Sequence, residues 1–171
     1  MMYDLTGDIL LSKAAVIVQG VAPNDDFNKG LAMSLREHFP SLYKDFRHFC
    51  HTAHPKEGTV WMWSGMGNGR TVSIVNLFTH ETPEHAGDHA GKPHLSHVNH
   101  ALRSLRKLIQ KEEIKSVALP RIACGLGGLD WEEVRALIEQ HLGDLEIPVY
   151  VYSTFAVGIE AKEPHKTYAM V

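Results

Sequence analysis

The chain has 171 residues, 44% of them hydrophobic, with a formal net charge of −3; it is long enough to bury one sizeable core as a single domain over 1–171, and it lacks the basic field that drives sequence-independent binding to duplex nucleic acid. Its two cysteines, Cys50 and Cys124, are too few and too far apart for a disulfide framework or a zinc knuckle, which points to a reducing, cytoplasmic setting. The N-terminus carries no basic region ahead of an apolar run, and no stretch approaches the ~18 apolar residues of a membrane span, so a soluble protein with no membrane partner is expected.

In chain order, a short strand-like start leads into Gly7 and Asp8, read as an exposed turn. Residues 14–19 form a continuous apolar run, as expected of a strand covered on both faces, and Gly20 follows at once. Residues 27–39 have helical spacing, with Leu31, Leu35 and Phe39 on one stripe and Pro40 as the stop, followed by a polar His- and Lys-bearing stretch. Residues 60–63 and 72–78 flank Gly65-Met66-Gly67-Asn68-Gly69 and predict a hairpin, with Trp61 and Trp63 in the core or on the sheet face. A second amphipathic helix is predicted over 98–109, a strand over 116–119, a third helix over 131–142 and a last strand over 149–152. Apolar strands alternating with helices predict a mixed, mostly parallel sheet between helical layers. In such sheets ligands sit beyond the carboxyl ends of the strands, so the loops 20–29, 79–93 and 124–130 are expected to converge on one cleft.

The most informative stretch is Cys124-Gly125-Leu126-Gly127-Gly128 after the strand ending near Leu119, because three glycines in four residues allow backbone N–H groups to turn toward one anion. The helix that follows, capped by Asp130 with Glu133 three residues on, adds the positive end of its dipole. The spacing fits neither the dinucleotide fingerprint nor the P-loop. Cys124 lies next to the glycine loop, yet no histidine is sequence-local to activate it, and a small buried strand-end residue is expected.

Half of the twelve histidines fall between positions 80 and 100, together with Glu81, Glu84 and Asp88. His94, His97 and His100 recur at every third position, so three imidazoles could share a helix face beside carboxylates, a transition-metal ligand set. Gly87, Gly91 and Pro93 make the segment a mobile loop instead, and neither a metal nor a cofactor is assigned.

Taken together, Gly7-Asp8-Ile9, then Gln19-Gly20 followed by Phe27-Asn28-Lys29-Gly30-Leu31-Ala32, and then the stretch from Cys124 to Trp131 resemble, in order, the motifs of the macro domain, an ADP-ribose-binding α/β/α module. The branch that it most resembles contains the terminal ADP-ribose glycohydrolase and the antitoxin that strips ADP-ribose from DNA. The resemblance implies a three-layer α/β/α fold and a ligand or substrate that is ADP-ribose or an ADP-ribosylated molecule. It implies an adenine amine on Asp8 with Ile9 beside it, the distal ribose and phosphates near Gly20, Asn28, Lys29, Gly30 and Ala32, and a pyrophosphate on Ile122 to Gly128. Tyr152 or Phe155, after the last strand, would stack on the purine. The glycohydrolase has a loop Asp whose position here is Gly127, as in the DNA-directed antitoxin, and the branch has a reactive Lys whose position here is His80. A histidine cannot form a Schiff base but moves protons near neutral pH, so His80, Asn28 and Lys29 are the catalytic candidates. An ADP-ribosyl hydrolase is the implied activity, with a non-catalytic reader and an ADP-ribose 1″-phosphate phosphatase as its rivals.

Overall fold

The structure, a computed structural model, describes residues 1–67, 69–85 and 88–164. Six strands form one mixed sheet: β1 (Met2–Gly7), β2 (Val16–Val21), β3 (Val60–Gly67), β4 (Arg70–Phe78), β5 (Val117–Pro120) and β6 (Val149–Phe155), in the spatial order β1-β6-β5-β2-β4-β3. Every neighbouring pair is parallel except β3 with β4, the predicted hairpin, whose register runs from Val60 opposite Leu77 to Gly67 opposite Arg70. Asn68, at its turn, lies outside the described residues.

Because side chains alternate across a strand, adjacent residues of the central strands feed two different cores. Val16, Val18, Val75, Leu77, Val117, Leu119, Val149 and Val151 pack against helices α3 (Leu95–Lys111) and α4 (Trp131–Leu142). Ile17, Val21, Ile74, Phe78, Ala118, Tyr150 and Tyr152 pack against α1 (Gly30–His38) and α2 (Pro40–Ala53). The result is the expected three-layer α/β/α sandwich, with both faces of the parallel strands covered.

Two differences from the sequence reading lie between β2 and β3. Helix α1 opens at Gly30 rather than near Phe27: Phe27 has a left-handed φ of 51° and is fully buried, so its apolar character serves the core and not a helical stripe. Pro40 does not end the helical region. It occupies the first turn of α2, where its missing N–H costs nothing and its fixed φ suits the helix. The stretch taken as a polar connection is therefore a 14-residue helix, anchored by the buried Leu42, Phe46 and Cys50 at four-residue spacing. Phe49 on the same helix stacks on Trp61 with ring centroids 4.9 Å apart, and the Trp63 indole N–H donates to Asp45 Oδ2 at 2.8 Å. Gly20 lies inside β2 opposite Leu77 rather than after it.

Candidate functional site at the carboxyl edge of the sheet

Five mutually parallel strands point their carboxyl ends at one edge, and the sheet order sets the sequence of loops along it: β1, β6, β5, β2, β4. Four inter-strand spacings of ~4.8 Å make this edge about 19 Å long, a linear track rather than a point site. Apart from Tyr152, which is buried in the core, and Gly20, which lies inside β2, the predicted site residues lie in the loops and strand ends at this edge or at the start of α1.

At the β1 end, Asp8 is not the exposed turn residue expected from the Gly-Asp pair. It is 6% exposed; its Oδ1 accepts from the Leu10 N–H at 3.0 Å, capping the short 3-10 turn Ile9–Leu11, and its Oδ2 accepts from the Gly158 N–H at 2.9 Å. Each oxygen keeps a further acceptor lone pair. Ile9 is buried beside it. On β6, Phe155 pairs in register with Gly7, so its ring, 66% exposed, stands one residue from Asp8. Tyr152 differs: it is buried in the α1/α2 core, its hydroxyl donates to Glu163 Oε2 at 2.6 Å, and burial with that carboxylate pushes its pKa up.

At β5 the glycine loop forms a closed turn. The Gly128 N–H donates to the Gly125 carbonyl at 2.7 Å and the Leu129 N–H to the Ala123 carbonyl at 2.8 Å, with Ala123 at φ 61° and Gly127 at φ 74°. Among the described residues none accepts from the N–H groups of Gly125, Leu126 or Gly127, and all three residues are exposed. These donors, followed by α4 with Asp130 Oδ2 capping the Glu133 N–H at 3.2 Å, are groups from which an anion could accept. Ile122 and Ala123 are buried beneath it. Cys124 is partly buried and desolvation pushes its thiol up to about 11, so it is not an activated nucleophile.

The loops after β2 and β4 are tied together. The Thr79 N–H donates to the Val21 carbonyl at 2.9 Å and the His80 N–H to the same oxygen at 3.3 Å. A Cβ on Gly20 would come within 2.8 Å of Thr79 Oγ1 and 3.6 Å of Ile122 Cβ, so glycine is what lets the β2, β4 and β5 exits crowd together. His80 Nδ1 lies 2.9 Å from Thr79 Oγ1. Burial pushes the His80 pKa below its ordinary value; the nearby Asp25 charge opposes this and the Lys29 charge reinforces it. Lys29 is exposed at the start of α1, ahead of exposed Gly30 and half-buried Ala32.

Asp25 is the site residue that the sequence reading missed. Its carboxylate accepts from the Ala22 N–H at 2.9 Å and the Phe27 N–H at 3.0 Å, which holds the loop in its bend, and burial raises its pKa. An Asp two residues before a buried aromatic at a loop apex is a weak signal, since the same letters describe an ordinary Asx turn.

The His-rich segment does not gather into a metal centre: among the described residues no three His, Cys, Asp or Glu are placed to hold an ion. His94 and His97 meet edge to face at 5.1 Å, and His94 pairs with Glu81 at 3.4 Å. His89 reaches across to the first loop, 3.1 Å from Asn28 Nδ2 and 3.4 Å from Asp26. Gly87 lies outside the described residues. No helix among the described residues is long and apolar enough to cross a membrane.

Residues 29–138 match the profile described as Macro domain. The chain is 29% identical over 161 residues to the DNA ADP-ribosyl transferase–DNA ADP-ribosyl glycohydrolase fusion protein of Thermosipho africanus, covering 85% of this chain and 40% of the relative. The macrodomain of Thermus aquaticus DarG superposes with a TM-score of 0.75 at 24% identity, over 90% of this chain and 98% of that one. Thermosipho africanus DarTG in complex with ADP-ribose superposes with a TM-score of 0.72 at 25% identity, over 90% of this chain and 41% of that one. The chain spans about two fifths of the length of the curated relatives that it matches.

Proposed function

The chain belongs to the macro domain family, and we propose that it binds ADP-ribose along the carboxyl edge of its sheet and hydrolyses the bond joining an ADP-ribosyl group to DNA. The observation that carries this reading is the order of features along the edge. Asp8 and the exposed Phe155 ring stand at the β1–β6 end, the three unpartnered N–H groups at β5, and the Asp25–Lys29 loop with His80 at the β2–β4 end. A purine, a diphosphate and a distal ribose follow the same order, and the names of the relatives supply the linkage.

In this reading Phe155 stacks on the adenine, Asp8 accepts from its amine, and the Gly125 to Gly127 amides hold the diphosphate. The anomeric carbon of the distal ribose then lies beside Asn28, Lys29 and His80. Burial lowers the His80 pKa, which favours the neutral imidazole that takes a proton from water. The water oxygen bonds to the anomeric carbon, the carbon–DNA bond breaks, and the leaving base takes up a proton. Asp25 stabilises the imidazolium as it forms, and Thr79 fixes the ring through Nδ1. No covalent lysine adduct is required.

The test is release of free ADP-ribose from ADP-ribosylated single-stranded DNA, with ADP-ribose affinity measured in parallel by calorimetry. His80→Gln is expected to lower the rate by about 10²- to 10⁴-fold with affinity nearly unchanged. Tight ADP-ribose binding with no release from the parent protein would make it a reader; undiminished release by His80→Gln would remove the histidine from the mechanism.

A further inference from the structure

Outside the carboxyl edge, the outer surface of α1 and α2 carries a groove of about 670 Å³ lined by Arg36, Tyr43, Lys44, Arg47, His48 and His51, together with Pro40. No carboxylate lines it, although the whole chain is net negative. Among the described residues, Arg36, Lys44 and Arg47 form no ion pair. Asp45, on the same helix, is engaged by the Trp63 indole.

The positive charge is also held in place. The Arg36 guanidinium lies 3.9 Å from the Tyr43 ring centroid and donates to the Asp26 carbonyl at 2.9 Å, while Arg47 lies 5.9 Å from the same ring. Tyr43 in turn packs on Phe27, with ring centroids 5.4 Å apart. Residues 40, 44, 47, 48 and 51 follow one face of α2, a run of about 16 Å at the helical rise of ~1.5 Å per residue. A second cavity of about 600 Å³ shares Tyr43, Arg47 and His51 with the groove and continues to Asn24 and Asp25, the loop beside His80. That second cavity is also lined by Asp25, Asp26 and Glu84, so the basic face stops where the carboxylates beside the proposed catalytic end begin.

We infer that this groove binds the sugar–phosphate backbone of single-stranded nucleic acid next to a modified nucleotide. The inference rests on the reading that the substrate is DNA-linked, and it adds where the strand lies. A single strand fits better than a duplex for two reasons. A modified nucleotide must leave its stack to lay its ADP-ribosyl group along the sheet edge. The charge is also confined to one short groove instead of being spread over the wide surface that a duplex covers. Arg36, Lys44 and Arg47 contact phosphates, and His48 and His51 add donors along the same line.

The experiment is a fluorescence-anisotropy titration of unmodified oligo-dT of about 12 nucleotides, within the ~4–16 typical of single-strand sites, against the parent and Lys44→Gln/Arg47→Gln. Matched arms use a duplex of the same length and a poly-glutamate peptide, and thermal melting checks that the exposed substitutions leave the fold intact. Three phosphate contacts give a slope of log affinity against log salt near −2, or about 20-fold between roughly 50 and 200 mM salt. The double variant is expected to bind oligo-dT about tenfold more weakly, with the slope reduced by about 1.4. Equal binding by parent and variant, tighter binding of the duplex, or equal binding of poly-glutamate would each overturn the inference. ADP-ribose affinity is measured on both proteins. Loss of oligo-dT binding by the variant, in a parent that fails to bind ADP-ribose, supports the groove while removing the nucleotide site, so the two readings fail separately.

Discussion

Gly128→Ala separates an anion cradle from a mere turn. A Cβ at this position would lie 2.5 Å from the Ala123 carbonyl oxygen, 2.8 Å from the Gly125 carbonyl oxygen and 3.0 Å from the Gly125 nitrogen. Those two oxygens accept the hydrogen bonds that close the loop, from the Leu129 and Gly128 N–H groups. The methyl cannot be accommodated by a flexible side chain moving aside, because every atom it meets is backbone, so the loop must open. Weakening two hydrogen bonds, each worth a net ~0.5–1.5 kcal/mol, costs about 1–3 kcal/mol, which lowers the melting temperature of a chain this long by roughly 2–12 °C. Opening the loop also misaligns the free amides; losing even one bond to a charged phosphate, worth ~1.5–3 kcal/mol, weakens ADP-ribose by about 10- to 150-fold. Gly125→Ala is the control for stability, since its Cβ meets nothing within 4 Å, and its melting temperature is expected within about 2 °C of the parent. Calorimetry with ADP-ribose below the melting temperature of Gly128→Ala gives the decision. A destabilised protein that still binds ADP-ribose with parental affinity would refute the phosphate role of the loop.

Asp25→Asn removes the charge that opposes the lowering of the His80 pKa. The acid limb of the pH–rate profile, already below the ordinary histidine value of ~6.5, is expected to move to still lower pH and to vanish in His80→Gln; a limb that stays fixed in Asp25→Asn would uncouple the two residues. The linked stabilities have opposite signs. Favourable contributions from depressed His80 are lost as pH falls through its folded pKa, and those from raised Asp25 are lost as pH rises through its own. Asp8→Ala is expected to cost about 1–3 kcal/mol in urea denaturation, because the Leu10 and Gly158 N–H groups lose their acceptor; a change below about 0.5 kcal/mol would mean that water replaces the carboxylate. Cys124, with its thiol pushed up to about 11, is expected to alkylate more than about tenfold slower than free cysteine near neutral pH, and equal rates in a competition assay would contradict its desolvation.

The layers and the loops that reach the carboxyl edge of the sheet are legible in the sequence because both depend on local pattern. Short apolar runs fix strands buried on two faces, and the glycine loop followed by Asp130 fixes a turn and a capped helix wherever it occurs. What stayed hidden depends on contacts far along the chain. Gly7-Asp8 reads as exposed until the segment near Gly158, 150 positions away, is folded across it. Asp25 reads as one acid among three polar neighbours until Ala22 and Phe27 turn their N–H groups onto it. Tyr152 and Phe155 read alike until the sheet register buries the first and leaves the second beside Gly7.

Helix α2 was missed for a physical reason that bears on function. Its buried stripe is only Leu42, Phe46 and Cys50, a narrow seam that suffices because α2 covers the sheet jointly with α1. The rest of its surface carries Lys44, Arg47, His48 and His51 beside Ser41, Asp45 and Thr52, polar residues that dilute the apolar periodicity and, after Pro40, make the stretch look like a connection. A helix needs only one face for stability, so the other face is free to carry charge that packing does not explain. Along the groove on α2 that charge is of one sign and, among the described residues, in no ion pair. The basic residues that helped to conceal the helix in the sequence are thus the ones whose placement the core leaves unexplained and a polyanion would account for.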